Sequence, residues 1–248
     1  MDNARSQLFY RYYCNTSAGQ LRSGRYSHDH PPLTEAKVLD QFDNHRIRER
    51  KRPIALVPVT SRPLEAVHRA LEKCYRFREA PEIAWIVIIR VPSGENTNGP
   101  HHARELALQR GDDKSNYLFE WEILPEHRVS VKTLLERGII QSPGLQKCAK
   151  RFPSFRNLQN KLVDTILGPD TYSTGRWLGS LARALGARTC TYELTMQILR
   201  DCLSGCYIDE DNQFVCLYGS KSCGILEFSD IWDIEDRIWD QLYSYLDI

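Results

Sequence analysis

The sequence predicts an α+β fold, and three observations predict it. Residues 84–91, AWIVIIRV, form a continuous apolar run rich in β-branched residues, the pattern of a strand buried on both faces. Residues 116–125, NYLFEWEILP, alternate strictly: Tyr117, Phe119, Trp121 and Ile123 fall on one parity, Leu118, Glu120, Glu122 and Leu124 on the other. From about residue 133 the pattern changes to helical periodicity, segment after segment. The chain therefore divides near residue 135. Residues 1–134 read as a module of short strands with helices. Residues 135–248 read as a mainly helical region with one β-hairpin near 214–228.

In chain order, LFYRYY at 8–13 is a strand with an arginine in it. Residues 34–49 form a helix, with Thr34 as its cap and Glu35 in its first turn. IALVPVTS at 54–61 is a strand that Pro58 confines to an edge, a bulge or an early end. The helix PLEAVHRALEKCYRF follows, with Ser61 as the expected cap, Pro63 near its first turn, and Leu64, Val67 and Leu71 at helical spacing. PSGENTNGPHH at 92–102 is a loop by composition. In the alternating strand, the aromatic parity is the buried one. The other parity sets Glu120 and Glu122 about 7 Å apart, facing either water or chemical work. KTLLERG ends on Gly138, a natural helix stop. LQKCAKRF, FRNLQNKLVDTIL, RWLGSLARAL and YELTMQILRDCL follow as helices, then a hairpin around Gly219-Ser220-Lys221, then a last amphipathic helix capped by Ser229. The short connection LERGIIQSPG predicts an interface between the two halves.

A chain of 248 residues can bury a substantial core. Its 33 basic and 32 acidic side chains nearly cancel, so any nucleic-acid binding must come from a local patch. No apolar run approaches the ~18 residues of a membrane span, and no membrane partner is expected. The opening MDNARSQLFYRYYC lacks the basic-then-apolar layout of a secretory leader, so a cytoplasmic or nuclear location is expected. Its eight cysteines then read as thiols. Five of them come late (Cys190, Cys202, Cys206, Cys216, Cys223), but no CxxC spacing marks a zinc site, and small buried side chains are the plain alternative. His28 with His30, and His101 with His102, lie in loop sequence without a third ligand, and no metal is expected. The P-loop, GxSxG and GxGxxG motifs are absent from the sequence.

Three features of the first half occur in a suggestive order: Tyr10-Arg11-Tyr12 on the first strand, Thr60-Ser61 at the end of the second with a helix at once after it, and Glu120-Trp121-Glu122 on a later one. This order resembles the arginine–serine–glutamate branch of the ADP-ribosyltransferase fold. It resembles still more a group of fungal proteins whose N-terminal module is a divergent version of that fold. The resemblance covers roughly residues 7–131, in short patches. It implies that Arg11 holds a phosphate of NAD, with Thr60 beside it, a task that suits a guanidinium fork. It implies that Ser61 braces the catalytic glutamate. It implies that Glu122 stabilises the positive charge on the nicotinamide ribose as the bond to nicotinamide breaks, and that Glu120 orients or deprotonates the acceptor. The chain departs from the family at Val59 and Pro58, where hydroxyls are expected. An alternative register puts Asn116 at the glutamate's position, and under it the catalytic acid is missing.

Arg46, Arg48, Arg50, Lys51 and Arg52 crowd five positive charges into seven residues against one acid, Glu49. Such a stretch either clamps phosphates of a nucleotide or RNA, or is a solvated helix end. Lys147, Lys150, Arg151, Arg156 and Lys161, interleaved with Phe152 and Phe155, form a second basic region. The leading expectation is a transferase that cleaves NAD and passes ADP-ribose to an acceptor. The alternatives are an RNA-directed transferase on the same scaffold and a catalytically inactive binding module. The RNA-directed form would be tRNA 2′-phosphotransferase-like, or an aminoacyl-tRNA-dependent cyclodipeptide synthase of the arginine-specific fungal type.

Overall fold

The structure, a computed structural model, describes residues 7–15, 17, 20–23, 25, 31–46, 54–91, 101–102, 117–120, 127–136, 154–155, 159, 178–179, 181–183, 185, 191–204, 207–208, 214–218, 221–226, 233–234 and 236. Helix and strand are both present, and the fold is α+β.

The first sheet is built on β1 (Gln7–Cys14), which pairs antiparallel along its whole length with β3 (Ala84–Val91). Strand β6 (His127–Ser130) pairs antiparallel on the other side of β3 and gives the order β1-β3-β6. The apolar run that marked β3 is buried because it is the central strand, covered on both faces. The second sheet has the order β2-β5-β4, with β2 Leu56–Val59, β5 Tyr117–Glu120 and β4 His101–His102. Pro58 is tolerated because β2 is an edge strand there. The pair His101-His102, expected in a loop, is the short strand β4 instead, with His102 opposite Tyr117.

One bridge joins the two sheets. Tyr10 N donates to Thr60 O at 2.7 Å, and Thr60 N donates to Tyr10 O at 2.9 Å. The sheets also pack on each other. The odd-numbered side chains of β1 and β3 (Phe9, Tyr13, Val87, Ile89) meet Val57 and Val59 of β2, and Phe9 meets Phe119 edge-to-face at 5.7 Å. The opposite face of the second sheet is covered by α1 (Glu35–Arg46), whose Val38 and Phe42 pack on Leu56 and Leu118. Both faces of β5 are therefore covered where they are described, and the parity shared by Leu118 and Glu120 starts in the core rather than in water. Ala55 N donates to Gln41 Oε1 at 3.1 Å and ties the start of β2 to the same helix.

The even-numbered residues of β1 and β3 face the largest core. Leu8, Tyr10, Ile86 and Ile88 meet Leu64, Val67 and Leu71 of α2 (Pro63–Arg76), which fall on one face because three- and four-residue steps return to it. Helix α3 (Val131–Glu136) adds Val131 and Leu134. The same cluster takes in Leu178, Leu181 and Leu185, then Leu194, Ile198 and Leu199 of α4 (Thr191–Leu203), and Ile234. One core thus draws on residues from both sides of position 135, and the interface expected between the halves is apolar and buried.

The hairpin expected near 214–228 is present. Strands β8 (Phe214–Tyr218) and β9 (Lys221–Leu226) pair with Tyr218 opposite Lys221, so Lys221 belongs to the strand rather than to the turn. Strand β7 (Tyr207–Ile208) adds a third member. The other helices expected between 145 and 185, and the last one after Ser229, fall largely or wholly outside the described residues. Helix α4 ends at Leu203, and Cys206 lies outside the described residues.

Candidate functional site

The turn between β2 and α2, Thr60-Ser61-Arg62, is where the two sheets, α2 and α4 converge. Its local structure follows from its side chains. Arg62 occupies the N-cap position of α2 and makes no side-chain cap bond of its own, while Pro63 opens the helix, where no N–H is needed. Ser61, expected as the cap, lies one residue before it and does not cap. Two other groups do that work. Thr60 Oγ1 accepts from Arg62 N at 3.1 Å and donates to Glu65 Oε2 at 2.8 Å. Asp201, far away on α4, accepts from Leu64 N at 3.0 Å through Oδ2 and from Arg62 Nε at 2.7 Å through Oδ1. A capping carboxylate usually lies next to its helix in sequence. This one comes from 137 residues downstream, so no local signal announced it.

Asp201 is 5% exposed, and burial raises its carboxyl above the usual range, against the lowering effect of Arg62 and of the Leu64 N–H. Ser204 accepts from Arg62 Nη2 at 2.9 Å and donates to the Asp201 carbonyl at 2.7 Å; Gln159 Nε2 reaches that carbonyl at 2.7 Å and Ser204 Oγ at 3.1 Å. The Arg62 guanidinium also stacks over Phe155 at 4.6 Å. Between these groups and Ser61 lies a depression of about 300 Å³, completed by Gln197 and Arg200. Tyr10 OH donates to Gln197 Oε1 at 2.5 Å and ties β1 to α4. Tyr10→Phe removes that one neutral bond and should cost about 1 kcal/mol in urea unfolding.

Arg11 lies on the other side of the turn. It is on the odd parity of β1, which faces the second sheet. Nη1 donates to Pro58 O at 2.6 Å and Nε donates to Gln20 O at 2.8 Å. Both acceptors are neutral carbonyls, and among the described residues no carboxylate meets this guanidinium. Burial pushes its pKa down to about 10, and the charge on Arg69 pushes the same way. Arg69 is itself paired with Glu65, Nη2 to Oε1 at 2.5 Å. Arg11 thus ties Gln20 to the edge of β2, and among the described residues its positive charge has no partner anion.

The bridge between Tyr10 and Thr60 brings the backbone of Arg11 close to Thr60-Ser61, with the Arg11 side chain on one side of the turn and Ser61 lining the depression on the other. The register treats Glu120 differently. Glu120 pairs with Leu56, whereas Val59, beside Thr60, pairs with Tyr117. Leu56 is four residues from Thr60, about 13 Å along an extended strand. Strand β5 thus directs Glu120 to the end of β2 away from Ser61, and it is Tyr117, the chain neighbour of Asn116, that adjoins the turn. Glu122 lies outside the described residues, as do Arg48, Arg50, Lys51 and Arg52; Arg46 ends α1. Basic residues Lys147, Lys150, Arg151, Arg156 and Lys161 also lie outside them.

No protein-family model, curated protein or solved structure matches the chain. Its site must be read from its own residues. Among the described residues no cluster of three or more histidine, cysteine or acidic side chains could hold a metal. No helix among them is long and apolar enough to cross a membrane. Arg62, Gln197, Arg200, Asp201 and Ser204 are site residues that sequence reasoning missed. The spacing of Gln197, Arg200 and Asp201 puts them on neighbouring positions of α4, with Ser204 just past its end, but that pattern alone does not say which strand end they meet.

Proposed function

We propose that the chain is a transferase on an ADP-ribosyltransferase-like scaffold, acting on a phosphate-bearing donor held at the junction of β1 and β2, with NAD the donor that the resemblance implies. The observation that supports this most is Arg11. A half-buried guanidinium, held by two carbonyls and with no carboxylate on it among the described residues, is stabilised when an anion arrives, because the anion supplies the charge pairing it lacks there. Its place beside Thr60-Ser61 is the place at which the resemblance puts a phosphate-binding arginine. In this reading the N-terminal module, residues 1–134, supplies the donor site, and the helical region that follows buttresses it.

The test uses purified protein and NAD, with free nicotinamide and thermal stabilisation as readouts. NAD at one hundred times its Kd should stabilise the protein by about 2.7 kcal/mol. Arg11→Lys keeps a charge but loses the fork, and should weaken binding about tenfold or more. Glu122→Gln should abolish nicotinamide release with folding nearly unchanged. NAD that neither stabilises the protein nor is cleaved would overturn this reading.

A specific observation favours a second reading, an RNA-directed transferase on the same scaffold. The register sets Glu120 opposite Leu56, at the start of β2. The basic stretch at 46–52 runs from the end of α1 to Ile54, two residues before Leu56. This reading puts the acid and the basic stretch, which precedes Ile54 in the sequence, at the same end of β2. Such an acid could free the amine of an aminoacyl group, while the cations hold the RNA. Copurifying tRNA, released steeply as salt is raised, with thermal protection by charged tRNA but not by NAD, is the result this reading expects.

A further inference from the structure

The depression between the Thr60–Arg62 turn and α4 has spent its acceptors and kept its donors. Asp201 uses Oδ1 on Arg62 and Oδ2 on the Leu64 N–H. Gln197 Oε1 is taken by Tyr10 OH. Ser204 Oγ accepts from both Arg62 and Gln159, and gives its own proton to the Asp201 carbonyl. Four of the lining residues carry donors without an acceptor among the described residues: the Arg200 guanidinium, Nη1 of Arg62, the side-chain NH2 of Gln197 and the Ser61 hydroxyl. Two guanidinium groups stand against one carboxylate, which leaves a surplus of positive charge. We propose that this depression binds a phosphate group, either a nucleotide phosphate or a backbone phosphate of RNA.

The chemistry of the ligand follows from the wall. Each side-chain acceptor of the wall already takes a hydrogen bond, so a ligand with donors of its own competes with bonds in place, and a neutral apolar group offers nothing to the two cations. A phosphate brings only acceptors, in a tetrahedral array that several donors can share, and its charge matches the arginine surplus. The cavity is far larger than one phosphate, so it has room for the group the phosphate is attached to. The site is distinct from the Arg11 side of the turn. It is built by α4, which has no part in the resemblance, so it stands or falls independently of the NAD reading. Ser61 lines it, with Arg62, from the first half of the chain, which gives that serine a ligand-binding role rather than a bracing one.

Arg200 is the residue to change, because it is exposed and takes no part in the buried network, so its loss leaves the fold intact. The probes are inorganic pyrophosphate and, separately, a short single-stranded RNA of mixed sequence, titrated calorimetrically at fixed ionic strength. Arg76→Gln, on the exposed end of α2, controls for the loss of one surface charge. Arg200→Gln should weaken at least one probe about tenfold or more, with Arg76→Gln like the parent protein. Weakening of pyrophosphate identifies a nucleotide phosphate, and weakening of the RNA alone identifies a backbone phosphate. The proposal is overturned if neither probe binds the parent protein, or if Arg200→Gln and Arg76→Gln bind alike.

Discussion

Asp201→Ala should destabilise the protein by about 2–4 kcal/mol, measured by urea or thermal unfolding. Breaking a buried ion pair by removing one partner typically costs about 3–5 kcal/mol. The Arg62 side chain is 33% exposed and recovers some water, which lowers the expectation. The buried Leu64 N–H recovers none, and its loss of a partner adds to the cost. The partner variant, Arg62→Ala, behaves differently with pH. It leaves a buried carboxylate whose pKa burial already raises and from which the main lowering influence has been taken. The folded protein then binds that proton more tightly than the unfolded chain does. The contribution of this group is fully present below the unfolded value, about pH 4, and is lost as pH rises through the raised folded value. Arg62→Ala should therefore lose stability relative to the parent as pH rises from 4 towards neutrality. Equal losses at all pH values would mean that the pair is not coupled as described.

Leu194→Ala should cost about 3–4 kcal/mol, the loss expected for a buried leucine whose site does not collapse. Leu194 is fully buried, and it shares its cluster with Leu8, Tyr10 and Ile88 of the first sheet as well as with Ile198 and Leu199 beside it. Its effect should therefore be felt by the whole molecule. Tyrosine and tryptophan fluorescence, with Trp85 on β3 as a reporter from the first half, should lose signal in the same transition as the helical signal. Two separated transitions, with only the later residues destabilised, would show that the core does not couple the halves. The same packing predicts that residues 1–134 expressed alone expose the α4-facing side of α2 and β1 and fold poorly.

Much of the first half was legible because its signals are local. The run AWIVIIRV is apolar on both parities, and only a central strand with two covered faces needs that. Pro58 lacks an N–H, and it therefore sits on an edge strand. Leu64, Val67 and Leu71 return to one helix face by geometry alone. Hairpin β8-β9 was readable for the same reason: two β-rich stretches flank a Gly-Ser turn. Each of these is decided within a few residues.

The site was legible only in part, because its contacts are long-range. The bridge between Tyr10 and Thr60 brings the strand that carries Arg11 next to the Thr60-Ser61 turn, but it leaves the Arg11 side chain and Ser61 on opposite sides of that turn. Alternation within NYLFEWEILP showed that Glu120 and Glu122 share a parity, but a strand's own sequence does not fix which partner residue each one faces. That depends on the register with β2, which set Glu120 opposite Leu56. The cap of α2 was misassigned to Ser61 for a related reason. A serine just before Pro63 is a good local cap, yet a carboxylate delivered by the tertiary fold outcompetes a hydroxyl for the same N–H groups. By itself the sequence determined β1, β2, β3, the β8-β9 hairpin, α1, α2 and α4, and restricted Pro58 to an edge, a bulge or an early strand end, because these follow from periodicity and backbone restriction within one segment. Only the tertiary structure decided the register of β5, the capping by Asp201 and the donor-lined depression. Each of these joins residues more than fifty positions apart, and the free energy that selects them is released only when the shared core is packed.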